Sequence, residues 1–352
     1  MAVVGHWTTL ADAQELTQSM LLQGVIQTVV EAGQLVPMLP VKQISGKDLL
    51  YNREDSWTAS AGASFFDIRE QIPWSSDVTY TPVTVPLKRI ARQDPIDNFV
   101  RSTYNSVNDY TALMIQQLAK RMTRFMEHHV IYGDVTYGGS KQFDGIHALA
   151  EENSGDLDID QAEGALALSN LRKMLDAAKV DTEADGNGAA GRSNVVILVP
   201  RAIGRRLDAS VQEGGFVRSS VTHSMGQLTF GRNEMGARIT LFDGIPIVRS
   251  DFLVAEQANT GVGSDARAAR TSGTNMYSVF VIRFGQTEDG GLSMLFGGDS
   301  ADVGEIFKRT HFDVLENYDS GGERLVAYAA LALGAGHSVG RIFDITDAEI
   351  IP

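Results

Sequence analysis

The sequence predicts an α+β protein made of long projecting elements rather than one rounded core. Three observations carry this. Residues 94–132 keep apolar side chains at helical spacing with no Gly until Gly133. Residues 44–57 and 78–90 alternate like strands, and the second is punctuated by Pro82 and Pro86. Residues 194–200 read Asn-Val-Val-Ile-Leu-Val-Pro, the apolar run of a strand buried on both faces.

The elements follow in order. Leu10, Ala13, Leu16, Met20, Leu21, Val25, Ile26 and Val29 predict a first helix, capped by Thr8 or Thr9 and stopped near Gly33. Pro37 and Pro40 keep the next stretch extended. The two strands then form a ribbon whose prolines suit an edge or an isolated pair. Between them Trp57, Phe65, Phe66 and Trp74 sit among Ser, Ala and Gly, flanked by Arg53, Glu54, Asp67, Arg69 and Glu70. Four large apolar side chains at the tip of a two-stranded ribbon have no local core, which predicts burial against another molecule.

Asp94 as cap, Pro95 at the first helical position and Asp97 near the positive end of the dipole predict that the long helix starts there. Running to residue 132, it would be a rod of about 55 Å. Phe99 and Leu118 are expected to face a sheet, with Asn105 and Gln117 outward. A Gly-rich turn leads to Phe143-Asp144-Gly145-Ile146, and a second helix is expected from Asp160, with Glu163 completing a capping box. After the buried strand come a short helix (201–212), a strand–turn–strand (239–248), a Gly-, Ser- and Ala-bearing loop (256–274) and β segments at 277–284, 292–296, 312–315, 325–333 and 338–343.

Composition narrows the chemistry. The 352 residues carry 30 Lys plus Arg against 44 Asp plus Glu, a net charge of −14, and no Cys. Non-specific nucleic-acid binding needs clustered cations, so this balance opposes it. Disulfides, thiol catalysis and Cys-held metals are excluded. No cationic, apolar leader opens the sequence and no apolar run approaches the ~20 residues of a membrane helix, so no membrane association and a cytoplasm-like folding compartment are expected.

No motif rises to a catalytic, cofactor or metal site. Residues 186–191 spell Gly-x-Gly-x-x-Gly, but a helix precedes them and a strand follows, the reverse of a dinucleotide site. Asp181, Glu183 and Asp185 begin like a calcium loop, yet the twelfth position is Arg192. Asp156, Asp158 and Asp160 read as a solvated loop and cap. His128 and His129 diverge by about 100° on a helix, which is poor geometry for one metal with His147. The expectation is no enzyme and no cofactor.

The order of these elements, closing on residues 323–334 (Glu-Arg-Leu-Val-Ala-Tyr-Ala-Ala-Leu-Ala-Leu-Gly), resembles a major capsid protein of a tailed double-stranded DNA bacteriophage, the fold shared with encapsulins and the herpesvirus capsid floor. The resemblance spans nearly the whole chain. It implies an N-terminal arm with helix (1–45), an extended E-loop ribbon (46–90), a peripheral domain with spine helix (91–190, completed by about 286–324) and an axial domain (191–285, completed by about 325–352).

The function so implied is a self-assembling subunit of an icosahedral shell. Homo-oligomeric pentamers and hexamers would enclose double-stranded DNA without sequence-specific binding, assembled in the host cytoplasm. An encapsulin-type shell around a cargo enzyme is the alternative reading, and a cytosolic enzyme a more distant one. Trp57, Phe65, Phe66, Trp74, Arg53, Glu54, Arg69 and Glu70 are the expected inter-subunit contacts. Some relatives carry a scaffolding segment before the ribbon; the short stretch here implies separate scaffolding, with portal or decoration proteins as further partners. Lys47 finds no partner for the cross-link formed in one branch of relatives.

Overall fold

The computed structural model describes residues 35–56, 65–71, 79–103, 110–136, 141–153, 155–179, 194–217, 228–232, 238–256, 275–298, 307–315 and 318–351. The predicted first helix, the 186–191 turn, the 181–192 acidic loop, loop residues 257–274, Asn105, Trp57 and Trp74 lie outside them.

A five-stranded sheet holds β1 (Val41–Ile44), β4 (Lys88–Asp97), β11 (Leu292–Gly297), β12 (Lys308–Phe312) and β13 (Ser320–Leu333). The 14-residue β13 is its beam: β4 pairs with it antiparallel from Lys88↔Ala329 to Asp97↔Ser320, and β12 and β11 pair along its other edge. Across the buried face runs α2 (Tyr110–Tyr132), 23 residues and so about 34 Å long. Leu118, Met122, Met126 and Val130, at intervals of four, are its buried stripe.

α2 stops at Gly133, whose N–H still reaches the His129 carbonyl at 2.8 Å. A Cβ at Gly133 would lie 2.5 Å from the carbonyl oxygens of both His129 and Phe143, so only glycine lets the returning chain pass this close. α3 (Ile146–Glu151) follows.

The second sheet has seven strands, ordered β5 (Asp158–Asp160), β14 (Val339–Thr346), β10 (Met276–Arg283), β6 (Val195–Pro200), β9 (Ile245–Ser250), β8 (Arg238–Phe242) and β7 (Leu228–Arg232). β6 is buried at every position, as its apolar run requires. One face meets α4 (Leu168–Ala177) and α5 (Arg201–Val217) through Leu171, Met174, Ile203 and Leu207. The other joins the first core through Leu198, Phe280 and Ile282. Asp243 and Gly244, at φ 51° and 82°, make the tight β8–β9 turn expected of Asp-Gly. No described helix is long and apolar enough to cross a membrane.

Several expectations are corrected. Asp94 and Pro95 do not start a helix; they lie in β4 opposite Glu323 and Gly322. Pro95 is tolerated because β4 is an edge strand. Asp97 caps instead, its Oδ1 accepting N–H bonds from Phe99 (2.8 Å) and Val100 (3.4 Å) at the start of α1 (Asn98–Thr103). That start turns Ile96 and Val100 inward and leaves Phe99 59% exposed, so Phe99 does not face the sheet.

Asp160 ends β5, and its Oδ1 takes the Ala162 N–H at 2.7 Å, closing a turn where a capping box was expected. α4 begins only at Leu168, whose N–H is taken by the Ile351 carbonyl (2.9 Å). Residues 325–333 do not group with 191–285, because β13 pairs with β4, β11 and β12. α4 likewise packs in the core of the seven-stranded sheet, away from the 91–190 group. The strand expected at 312–315 is β12, four residues earlier.

Candidate assembly site

β2 (Asp48–Ser56) and β3 (Thr79–Pro86) form the expected two-stranded ribbon, in register from Asp48↔Pro86 to Ser56↔Thr79 with one irregularity after Glu54. Its two faces differ. Leu49 and Val85 pack against the first core, and beyond them Tyr51 and Arg53 reach the end of β13. The Tyr51 hydroxyl donates to the Leu333 carbonyl at 2.5 Å. Arg53 donates from Nε to the Gly334 carbonyl (3.2 Å) and from Nη2 to that of Leu333 (2.9 Å). Burial raises the Tyr51 phenol above its ordinary value, opposed by the neighbouring Arg53 charge. On the outward face Leu50 and Tyr80 are 67% and 62% exposed.

The tip is organised by polar bonds rather than by a core. The Asp67 N–H donates to Glu70 Oε2 (2.8 Å), and the Glu70 N–H to the Asp67 carbonyl (3.1 Å). Arg69 sits at φ 76°, in the left-handed region that closes the turn. This leaves Phe65 and Ile68 103% and 94% exposed, with Phe66 half-buried and Arg69 and Glu70 in solvent. Arg53, expected to meet a neighbour, is engaged by its own chain. Glu54 pairs through its backbone with Tyr80 in the ribbon.

The chain at residues 35 and 36 is held by a group that the sequence left unremarked. Glu127 of α2 is fully buried and accepts the N–H groups of Leu35 (2.7 Å) and Val36 (2.9 Å), donors at the start of a short 3₁₀ turn. Its position was legible in one respect: 127 and 131 are four apart, and Ile131 is fully buried.

A second buried carboxylate, Glu256, accepts from Tyr132 Oη (3.0 Å) and Ser278 Oγ (2.5 Å) and lies 2.9 Å from His147 Nε2. His147 is therefore part of the junction between the two sheets. Asp158 forms a two-point pair with Arg341. Among the described residues no cluster of three or more His, Asp and Glu side chains could hold a metal ion.

No protein-family model matches the sequence, and no curated protein matches it. Solved structures do. The chain is similar to the SrpI encapsulin of Synechococcus elongatus PCC 7942, at a TM-score of 0.63 and 11% identity over 98% of each chain. It is similar to the capsid of cyanophage A-1(L), at 0.59 and 14% identity over 96% of this chain and 100% of that one. The capsid of a native GTA particle gives 0.56 and 12% identity over 93% and 94%. The fold is that of a tailed-phage major capsid protein.

Proposed function

We propose that this chain is the structural subunit of an icosahedral virus capsid, self-assembling through pentamers and hexamers around double-stranded DNA. The observation that carries the reading is end-to-end likeness: nearly all of this chain aligns with nearly all of each shell protein. The exposed tip supports it, since Phe65 and Ile68 are large apolar side chains left in solvent. Phe65, Phe66, Ile68, Arg69 and Glu70, with Trp57, Trp74 and Glu54 beside them in sequence, are the proposed inter-subunit contacts.

On this reading the five-stranded sheet with α2 is the peripheral domain and the seven-stranded sheet the axial domain. The arm to residue 45 lies along a neighbour, and the role is structural rather than enzymatic. Rings require head-to-tail contacts between two different patches, consistent with a projecting tip and a separate receiving surface. The net charge of −14 suits a container that does not grip its DNA. Assembly takes place in the host cytoplasm, with scaffolding, portal or decoration proteins as separate chains.

Negative-stain microscopy of the expressed protein, followed by nuclease treatment and analysis of the contents, tests this. Closed shells holding double-stranded DNA support it, and a monomer at high concentration with and without scaffold overturns it. The encapsulin match, at a TM-score of 0.63, favours a second reading in which the shell encloses a cargo enzyme. Shells that co-purify with one stoichiometric protein and no DNA would select it.

A further inference from the structure

Resting on the shell-subunit reading, we infer that the exposed side of α2 lines the lumen and carries the few phosphate contacts each subunit makes to the enclosed duplex. Three of its 23 residues are Lys or Arg, namely Lys120, Arg121 and Arg124. Lys120 and Arg121 are exposed and Arg124 is half-buried. The one acid of α2, Glu127, is buried and turned to Leu35 and Val36, so it takes no part in the outer surface. The balance of the whole chain, 44 Asp and Glu against 30 Lys and Arg, hides this local reversal.

β4 extends the patch at its edge. Arg92 and Asp94 stand on the strand face that carries the buried Ile90 and Ile96. Asp94 lies 3.4 Å from Arg92 Nε and 3.3 Å from Arg121 Nη1, so one carboxylate bridges strand and helix. Arg92, Lys120, Arg121 and Arg124 together outweigh Asp94 and leave the patch positive. Lys120 and Arg124 are one turn apart, about 6 Å along the axis. Phosphates of one strand follow every ~3.4 Å of duplex axis, within the swing of two such side chains. Gln116, Gln117 and Thr123, exposed beside them, are neutral groups of the kind that reach phosphate oxygens.

Duplex DNA suits this surface better than a protein does. Apart from Phe125, the exposed residues among the cations are Ala119, Thr123 and the two glutamines, which offer a protein partner little apolar area to bury. The Phe125 ring is stacked on His129 of its own helix, 3.9 Å between centres. Phosphate neutralisation needs no apolar area, only cations in line. Contacts so few hold the duplex loosely, and the acidic remainder of the chain repels it elsewhere.

Two measurements test the face. In DNA-filled particles treated with formaldehyde, the peptide carrying Lys120 should acquire nucleotide adducts. With the unassembled subunit, a short DNA duplex should bind with a slope of about −3 in log affinity against log salt, the mark of about three phosphate contacts. Tripling the salt then lowers affinity about twenty-fold. Lys120→Gln and Arg124→Gln should each flatten the slope by about 0.9. Lys173→Gln, which removes an exposed cation on α4, should leave it unchanged.

The adducts are read on the wild-type chain, so a variant that fails to fold does not blunt the test. Filled shells without adducts at Lys120, or a slope that both α2 variants leave unaltered, overturn the inference while leaving the shell reading intact. Carbodiimide links from Lys120 to an acidic protein segment, in place of nucleotide adducts, assign the face to protein and also overturn it. A subunit that forms no shells yet binds duplex through Lys120 and Arg124 sinks the shell reading and keeps the face as a phosphate-binding surface.

Discussion

The buried carboxylate of Glu127 accepts the backbone N–H of Leu35 at 2.7 Å, joining the C-terminal part of α2 to the chain at residue 35 across 92 residues. A second bond, from the Val36 N–H at 2.9 Å, makes the grip two-pronged. The donors are the first N–H groups of a short turn, which has no carbonyl of its own to offer them.

Glu127→Ala should therefore leave two backbone donors and a cavity inside the first core. The expected cost is about 2–4 kcal/mol, larger than for an exposed helical Glu. Chemical denaturation measures the cost, and limited proteolysis should show faster cleavage just before residue 35. Unchanged cleavage would mean that other contacts hold residues 35 and 36.

The junction around Glu256 gives a second prediction. Glu256→Ala strips the acceptor from Tyr132 and Ser278 and removes the partner of His147, all inside the protein. Breaking such a buried set costs about 3–5 kcal/mol, and Glu256→Gln, which keeps one acceptor oxygen, should cost less. If the two variants unfold at the same denaturant concentration, the carboxylate charge is irrelevant there.

Glu323 carries a pH dependence. It is 2% exposed and bound at both oxygens by Arg309, each at 2.9 Å, with His311 Nδ1 at 2.7 Å from Oε1. The Arg309 hydrogen bonds, more than any other cause, hold its carboxyl below the usual range. A carboxylate held low binds fewer protons folded than unfolded. Its contribution is complete above the ordinary value of about 4.3 and is lost as pH falls through the lower folded value. The stability curve of Glu323→Gln should lack this acid-side decline; parallel curves would sink the assignment.

Asp144 behaves in the opposite sense. Burial raises its carboxyl, against the Val135 N–H bond of 2.8 Å that favours the charged form. The folded state then holds this proton more tightly, so stability falls as pH rises from the ordinary carboxylate value to the raised one. Asp144→Asn keeps the acceptor oxygen and removes the charge. It should be more stable than wild type at neutral pH, with the difference vanishing in acid, as followed by thermal unfolding.

On α2, Leu118→Ala should cost about 2–5 kcal/mol, because Leu118 is 1% exposed in the first core. Phe99→Ala should change stability by no more than about 0.5 kcal/mol, Phe99 being mostly in solvent. Phe65→Ala should leave unfolding equally untouched while weakening assembly, as sedimentation would show.

Local signals were legible and distant ones were not. The ribbon, the stripe at 118, 122, 126 and 130, the buried β6 and the Asp243-Gly244 turn each follow from neighbours a few residues apart. The false start at Asp94 arose because Asp-Pro suits both a helix entry and an edge strand. What decides between them is β13, more than two hundred residues away. α4 was misplaced for the same reason, since its first donor is satisfied from Ile351. At the candidate site, the exposure of Phe65 was legible from its place in a Ser-, Ala- and Gly-rich stretch with no local core. The anchoring of Arg53 was not, because its acceptors are main-chain carbonyls without a sequence signature.

The bond from Arg53 to Gly334 spans 281 residues, and that separation becomes a delay on the ribosome. At about 5–20 residues per second, about 14–56 s pass between the two residues leaving the ribosome. During that interval the ribbon has no carbonyls to lean on, and β4 has no strand to pair with. An unfinished or prematurely terminated chain can therefore display tip residues but cannot hold them at the angle that a complete one does.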